Sequence, residues 1–332
     1  MSDPIPKRVS IVIPVYYNEG NLEPTWTALS QTLAKLPANR DWEVVFVDDG
    51  SGDGSYAKLV ELHRRDSQHV RVVKLTRNFG QVPAMLAGLR AATGDCCVVM
   101  SADLQDPPEL IHEMVDRWNG GTKKIVIATR SQREESFLVR VPSRLFYRLM
   151  KRYAVPNMPE GGFDFFLIDR VVVDIINRVR EKNSFIQGHV LWTGFVPVTI
   201  EYTRRKREIG ESRWTLSKKV KYFIDGFVTY SFMPIRLITV VGLTVSLLSF
   251  GYATLIFLLR IFWGMPVQGF APTMITILML GGIQLIMLGI IGEYLWRNYD
   301  ESRRLPNFVV EETLGSTDGP PPSAASLRAE DS

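Results

Sequence analysis

Three polar clusters in this chain carry residue types that bind ligands: Pro14-Val-Tyr-Tyr-Asn-Glu19, Val47-Asp-Asp-Gly-Ser-Gly-Asp-Gly-Ser55 and Ser101-Ala-Asp-Leu-Gln-Asp-Pro-Pro108. Their glycines permit tight turns, and their carboxylates can accept from ribose hydroxyls or an amide, or hold a cation. The clusters sit at the ends of short β-rich runs, Val9–Pro14, Glu43–Asp48 and Cys96–Met100. Two further runs, Val70–Leu75 and Ile125–Thr129, complete a series in which helical patterns separate the strands. That alternation predicts an α/β fold with a mostly parallel sheet, and the nearly continuous apolar character of the strands predicts helices on both faces. In such sheets the ligand crevice lies beyond the carboxyl ends of the strands, where all three clusters fall. Taken singly, each has a plainer role. Asp48-Asp-Gly-Ser51 equally suits a strand-to-helix turn with a capping side chain, and Asp103, Gln105 and Asp106 before Pro107 and Pro108 equally suit a helix N-terminus. Their joint position at one edge favours a ligand site.

Further along, two apolar runs, Leu237–Leu259 and Phe270–Ile291, contain no Asp, Glu, Lys or Arg. Each exceeds the ~20 residues a helix needs to cross a ~30 Å hydrocarbon core, so a transmembrane hairpin is predicted. Lys218, Lys219, Lys221 and Arg236 precede it and Arg297, Arg303 and Arg304 follow it, while the connecting loop offers Arg260 alone. By the positive-inside rule both termini and the N-terminal domain are cytoplasmic. No N-terminal signal peptide is evident. Phe137–Met150, which interleaves large apolar residues with Arg140, Arg144 and Arg148, and Trp214–Phe232 read as interfacial helices. A basic amphipathic helix packed on the sheet is the other reading of the first segment. The formal net charge of +4 is mild and concentrated near the membrane-proximal segments, which fits anionic lipid and argues against nucleic acid. Adjacent Cys96 and Cys97 suit neither a disulfide nor a metal site, and four scattered histidines, His189 included, suit no metal cluster. The stretch Gly315–Ser326, rich in Pro and Ser, predicts disorder toward the C-terminus.

With these residues in view, the chain resembles glycosyltransferase family 2 of the GT-A fold, in particular the polyisoprenyl-phosphate glycosyltransferases that include bactoprenol glucosyltransferases and dolichol-phosphate mannosyltransferases. The resemblance covers nearly the whole chain. It rests on Pro14-Val-Tyr16, Val47-Asp-Asp-Gly-Ser51, Arg77-Asn-Phe-Gly-Gln81, Ala102-Asp-Leu-Gln-Asp-Pro107, Asp164-Phe165, Arg207 with Gly210-Glu-Ser-Arg-Trp214, and the two spans. It implies that Pro14, Tyr16, Glu19 and Asp48 contact the base or ribose of a nucleoside-diphosphate sugar, with Asn78 and Gln81 close by. It implies further that Asp103 and Gln105 hold Mg²⁺ or Mn²⁺ against the diphosphate, and that Arg130, Arg140 and Ser143 hold the acceptor phosphate. An oxygen-ligated divalent cation suits a leaving group whose charge grows as the glycosidic bond breaks. An acceptor phosphate is already mostly dianionic at neutral pH, so positioning groups matter more than a general base. Asp164 is the remaining carboxylate for the acceptor or sugar hydroxyls, or else a helix cap. Arg207 or Arg213 is expected to close over the donor diphosphate; the other reading of Arg207 is membership of a lipid-facing basic run, Arg204–Arg207. The chain departs from its relatives at Ser101, where many carry Asp, and at Tyr17, an additional Tyr before Asn18.

These readings give a GT-A catalytic domain over 1–211, interfacial helices over 212–235, a transmembrane hairpin over 236–292 and a cytoplasmic tail over 293–332. The expected reaction transfers one sugar, glucose from UDP-glucose, to undecaprenyl phosphate with inversion. Mannosyl transfer from GDP-mannose is the near alternative. A membrane-tethered nucleotide-sugar sensor, invited by Ser101, is the alternative of another class. A processive polysaccharide synthase is disfavoured because Gly210 stands where its signature has Gln, and a channel because the spans carry none of the charged residues such a pathway normally needs. A homo-oligomer joined through Gly281, Gly282 and Gly289, a downstream flippase and a second glycosyltransferase are the further partners expected.

Overall fold

The structure is a computed structural model that describes residues 7–37, 40–130, 148, 151–152, 155, 157–159, 162–179, 185–203, 205, 233–263, 269–303 and 305–315. The expectations for Arg140, Ser143, Arg207, both interfacial segments (Arg148 apart) and the tail beyond Gly315 lie outside the described residues.

The N-terminal half begins with strand β1 (Val9–Val15), helix α1 (Glu19–Leu33), β2 (Trp42–Asp48), α2 (Ser55–Arg65), β3 (Val70–Leu75), α3 (Gln81–Ala91), β4 (Cys96–Val99), α4 (Leu110–Trp118) and β5 (Ile125–Arg130). All five expected strands are present. Then follow β6 (Phe165–Asp169), α5 (Arg170–Asn177), α6 (Ile186–Trp192) and β7 (Val198–Tyr202), and after them two long helices, α7 (Met233–Trp263) and α8 (Phe270–Ser302), and a last strand, β8 (Val310–Leu314). The eight strands form one sheet in the order β7-β5-β6-β4-β1-β2-β3-β8. Pairings within β4-β1-β2-β3 and between β5 and β7 are parallel, and β6 and β8 run antiparallel to their neighbours.

Alternation along each strand fills two apolar layers. On one face Val9, Ile11, Ile13 and Val15 pack with Leu22, Leu29, Leu59 and Met114 from α1, α2 and α4. On the other, Val12, Val45 and Val47 pack with Ala84, Leu89 and Val173 from α3 and α5. Gly88 is required where α3 meets the sheet, because a Cβ there would overlap the Val12 side chain. Cys96 and Cys97 are free thiols pointing into opposite layers.

Strand β6 enters between β4 and β5 against their direction, so its first residues lie at the edge where β4 and β5 end. The consequence is that Asp164, just before β6, faces the end of β5. A second reversal occurs at β8, which pairs with β3 through Val72↔Leu314 and Val73↔Thr313. The Thr76 amide donates to Val309 O at 3.0 Å, Tyr56 Oη donates to Glu312 Oε2 at 2.5 Å, and Lys74 pairs with Glu311 at 2.9 Å. The sequence offered no strong strand signal there.

Helices α7 and α8 contain candidate membrane spans, Ile235–Leu259 and Met279–Ser302, in which no residue is buried by the rest of the chain. At 1.5 Å per residue the two helices are about 46 and 50 Å long, so each extends beyond a ~30 Å hydrocarbon core. The end of α8 carries Glu293 paired with Arg297 at 2.8 Å. The helices approach at Gly242, where a Cβ would lie 3.4 Å from Met287 Cε, whereas Gly281, Gly282 and Gly289 face no atom within 4 Å.

Without β8, β3 becomes an open sheet edge and loses a backbone ladder and two polar contacts. Truncation from Leu305 onward is expected to lower the apparent melting temperature by roughly 5 °C or more. Scanning fluorimetry of the detergent-solubilised chain measures this, and an unchanged midpoint would show the strand to be dispensable.

Candidate active site

The loops after β1 and β2 are stitched together at the carboxyl edge of the sheet. The Tyr17 amide donates to Ser51 Oγ at 3.1 Å, Asn18 N to Ser55 Oγ at 2.9 Å, and Gly54 N to Glu19 Oε2 at 3.1 Å. Tyr17 adopts a positive φ of 54°, unusual for a bulky residue, which turns the chain from β1 into α1. Its ring meets that of Tyr16 edge-on at 4.7 Å. Thus Glu19, expected as a donor contact, braces the Gly54 turn.

Asp48 ends β2 and is fully buried. Its Oδ2 accepts from the Ser51 amide at 3.3 Å, while Oδ1 has no hydrogen-bond partner among the described residues. Burial raises its pKa, opposed by hydrogen bonds from Ser51. A buried carboxylate oxygen left unpartnered is costly unless a ligand donor meets it. Asp49, which sequence reasoning did not single out, serves differently. Its two oxygens accept from Phe79 N at 2.7 Å and Gly80 N at 2.9 Å. It thereby fixes the loop that presents Asn78 and Gln81, both exposed. Gly50, at φ 66°, lets that loop approach, since a Cβ would stand 2.5 Å from the Arg77 carbonyl carbon.

After β4, Ser101 is the hub. Its Oγ lies 2.7 Å from Asp103 Oδ1 and 2.8 Å from Asp106 Oδ2. Asp103 Oδ1 also accepts from Gln105 N at 3.2 Å, and Leu104 takes a positive φ of 54° in the same turn. Asp103 is nearly buried and Asp106 fully so. Tyr202, at the end of β7, donates to Asp106 Oδ1 at 2.6 Å. The segment after β7 is tied to this turn, with Arg205 N donating to Gln105 O at 3.0 Å and the Gln105 amide nitrogen directed at Arg205 O at 3.5 Å.

At the end of β5, the Arg130 guanidinium donates to Asp164 Oδ2 at 2.8 Å, and Gln187 Nε2 donates to Asp164 Oδ1 at 3.1 Å. Two residues that the sequence suggested separately are therefore an ion pair. Pro14, Tyr16, Asp48, Asn78 and Gln81 lie around the ends of β1, β2 and β3, Asp103 and Gln105 beyond β4, and Arg130 with Asp164 beyond β5 and before β6. Asp106 and Tyr202 were missed. Asp106 lay inside a noted cluster, but its burial was not legible, and Tyr202 belongs to a strand the sequence did not announce. His189 is buried and its pKa falls to about 4 through desolvation, in keeping with a packed residue.

The sequence profile described as "Glycosyl transferase family 2" matches residues 10–176. An uncharacterised glycosyltransferase of Synechocystis sp. is 37% identical over 93% of this chain and 96% of its own length. The bactoprenol glucosyl transferase of Shigella phage SfV is 34% identical over 92% of this chain and 98% of its own. Among solved structures, glucosyl-3-phosphoglycerate synthase from Mycobacterium tuberculosis, with Mn²⁺, UDP-glucose and phosphoglyceric acid, aligns over 65% of this chain and 76% of that one, at 15% identity and a TM-score of 0.48.

Burial pushes the Asp49 carboxyl up to about 6, against the pull of the Phe79 and Gly80 amides. A carboxyl whose pKa is raised on folding binds its proton more tightly in the folded chain. Its stabilising contribution is therefore present below the unfolded value of 3.8 and is lost as pH rises toward about 6. Asp49→Asn retains one acceptor oxygen and removes the titration. Its denaturation midpoint should fall less steeply with rising pH between about 4 and 6 than that of the wild type; parallel pH profiles would contradict this assignment.

Proposed function

Because this chain belongs to glycosyltransferase family 2, and is a glycosyltransferase, we propose that it transfers one glucose from UDP-glucose to undecaprenyl phosphate at the cytoplasmic membrane face, with inversion. The observation that carries this reading is the meeting, at one sheet edge, of a buried Asp48 oxygen with no partner among the described residues, the Asp103 turn and the Arg130 guanidinium. The first suits a donor N–H or O–H of the nucleoside, and the last suits an acceptor phosphate. Similarity to proteins named bactoprenol glucosyl transferase runs over 92% of the chain, hairpin included, and supports the lipid acceptor.

Asp103 and the Gln105 amide oxygen form an all-oxygen donor set that fits Mg²⁺ or Mn²⁺. Among the described residues no three His, Cys, Asp or Glu side chains converge as a metal site; with a cation bound, diphosphate oxygens and water would complete its shell. The cation would neutralise charge on the departing UDP. Asp48 orients the base or ribose, with Pro14 and Tyr16 beside it. Arg130 exchanges part of its pairing with Asp164 for the acceptor phosphate, which frees Asp164 for a sugar hydroxyl. Arg140 and Ser143 join Arg130, and Arg207 closes over the diphosphate to exclude water. The phosphate oxygen attacks opposite UDP without needing its own base.

Strand β8, which follows α8 and pairs with β3, supports an arrangement in which the sheet and the residues flanking the two helices share one compartment, and the Lys and Arg distribution favours the cytoplasm.

Labelled sugar from a panel of UDP- and GDP-sugars, offered with undecaprenyl phosphate, should enter lipid from UDP-glucose with Mg²⁺ or Mn²⁺ and not with chelator. Asp103→Ala should lower turnover at least ~100-fold with little change in melting temperature. Donor binding without transfer in the wild type would instead favour the sensor. A cysteine placed at Gln268, in the sequence between the two apolar runs, should react with an impermeant maleimide added outside intact cells, since Cys96 and Cys97 are buried. Labelling only after lysis would overturn the topology.

A further inference from the structure

A continuous polar path joins the two halves of the candidate site. It starts at Gln187, which donates to Asp164, and Asp164 accepts from Arg130 at 2.8 Å. Arg130 and Tyr202 are register partners on the parallel strands β5 and β7, which sets the guanidinium beside the Tyr202 hydroxyl closely enough for the two to interact electrostatically. Tyr202 gives its single proton to Asp106 at 2.6 Å, so toward Arg130 its oxygen acts as acceptor. The ring is nearly buried and held edge-on by Phe165, centroids 6.2 Å apart, which leaves the hydroxyl little freedom. From Asp106 the path passes to Ser101 and ends on Asp103.

Ser101 gives this path a direction. It has one hydroxyl proton and two carboxylate oxygens within 2.8 Å, and donates to one at a time. Whatever draws electron density from Asp103 turns the hydroxyl toward Asp106, and whatever tightens the hold of Tyr202 on Asp106 turns it toward Asp103. Hydrogen bonds linked in this manner polarise one another at low dielectric.

We propose that Tyr202 is a positioning residue whose hydroxyl couples Arg130, through Asp106 and Ser101, to the Asp103 carboxylate. Filling the acceptor side is thereby sensed on the donor side. The inference rests on the proposed donor and acceptor roles of Asp103 and Arg130.

A double-mutant cycle read by binding tests it. The dissociation constant of UDP in the presence of Mn²⁺ is measured by calorimetry on the full-length chain in detergent, for wild type, Arg130→Gln, Tyr202→Phe and the double variant. The Arg130→Gln effect should differ by about fivefold or more between the Tyr202 and Phe backgrounds, a coupling typical of residues in one network. Additive effects, with wild type binding Mn²⁺–UDP normally, would overturn the coupling and leave the donor reading intact. Absence of any Mn²⁺–UDP binding by wild type would overturn both. Ser101→Ala cuts the path at another link and should abolish the same coupling to Arg130→Gln; it decides the matter if Tyr202→Phe fails to fold, and retained coupling in Ser101→Ala refutes the path.

Discussion

Covering both faces of a mostly parallel sheet with helices leaves a ligand only one place to meet the strands, their ends, and the candidate site residues that the structure describes are arranged around that constraint. The β1 residues alternate between two apolar layers with no polar face to spare. Polar side chains therefore collect in the turns where strands give way to helices. Backbone amides left unpaired in those turns are met by Ser51, Ser55, Asp49 and Glu19, so the loops are fixed to one another before any substrate arrives.

Gathering acids at one edge creates a repulsion that the structure answers locally. Asp49 is occupied by two amides, Asp106 by the Tyr202 and Ser101 hydroxyls, and Asp164 by Arg130 and Gln187. Asp48 alone among these acids keeps a buried oxygen without a described partner. Ser101 matters in this light as more than a missing carboxylate. An acid at that position would bring a third negative charge against Asp103 and Asp106, whereas the hydroxyl supplies a proton between them.

The two reversals of strand direction do complementary work. Strand β6 carries Asp164 back to the end of β5, and β8 brings the chain back from the hairpin to the sheet beside β3. The start of the loop that carries Asn78 and Gln81 consequently lies next to the segment leaving α8, where the Thr76 amide donates to Val309 O.

The sequence by itself determined the class of fold, the first five strands nearly to their ends, the two long apolar helices and the loops where chemistry belongs, because these depend on local periodicity and on turn residues such as Gly50. It also carried the family, through motifs whose residues are contiguous. Only the tertiary structure decided that Asp48 presents an oxygen and Asp49 does not, that Arg130 and Asp164 are partners, and that Tyr202 reaches Asp106. Those outcomes depend on which distant segments the sheet brings together, Phe79 and Gly80 to Asp49, β6 to the end of β5, and β7 to the turn after β4. A short strand such as Val310–Leu314 has too little pattern of its own to announce a partner, since what makes it a strand is the open edge of β3.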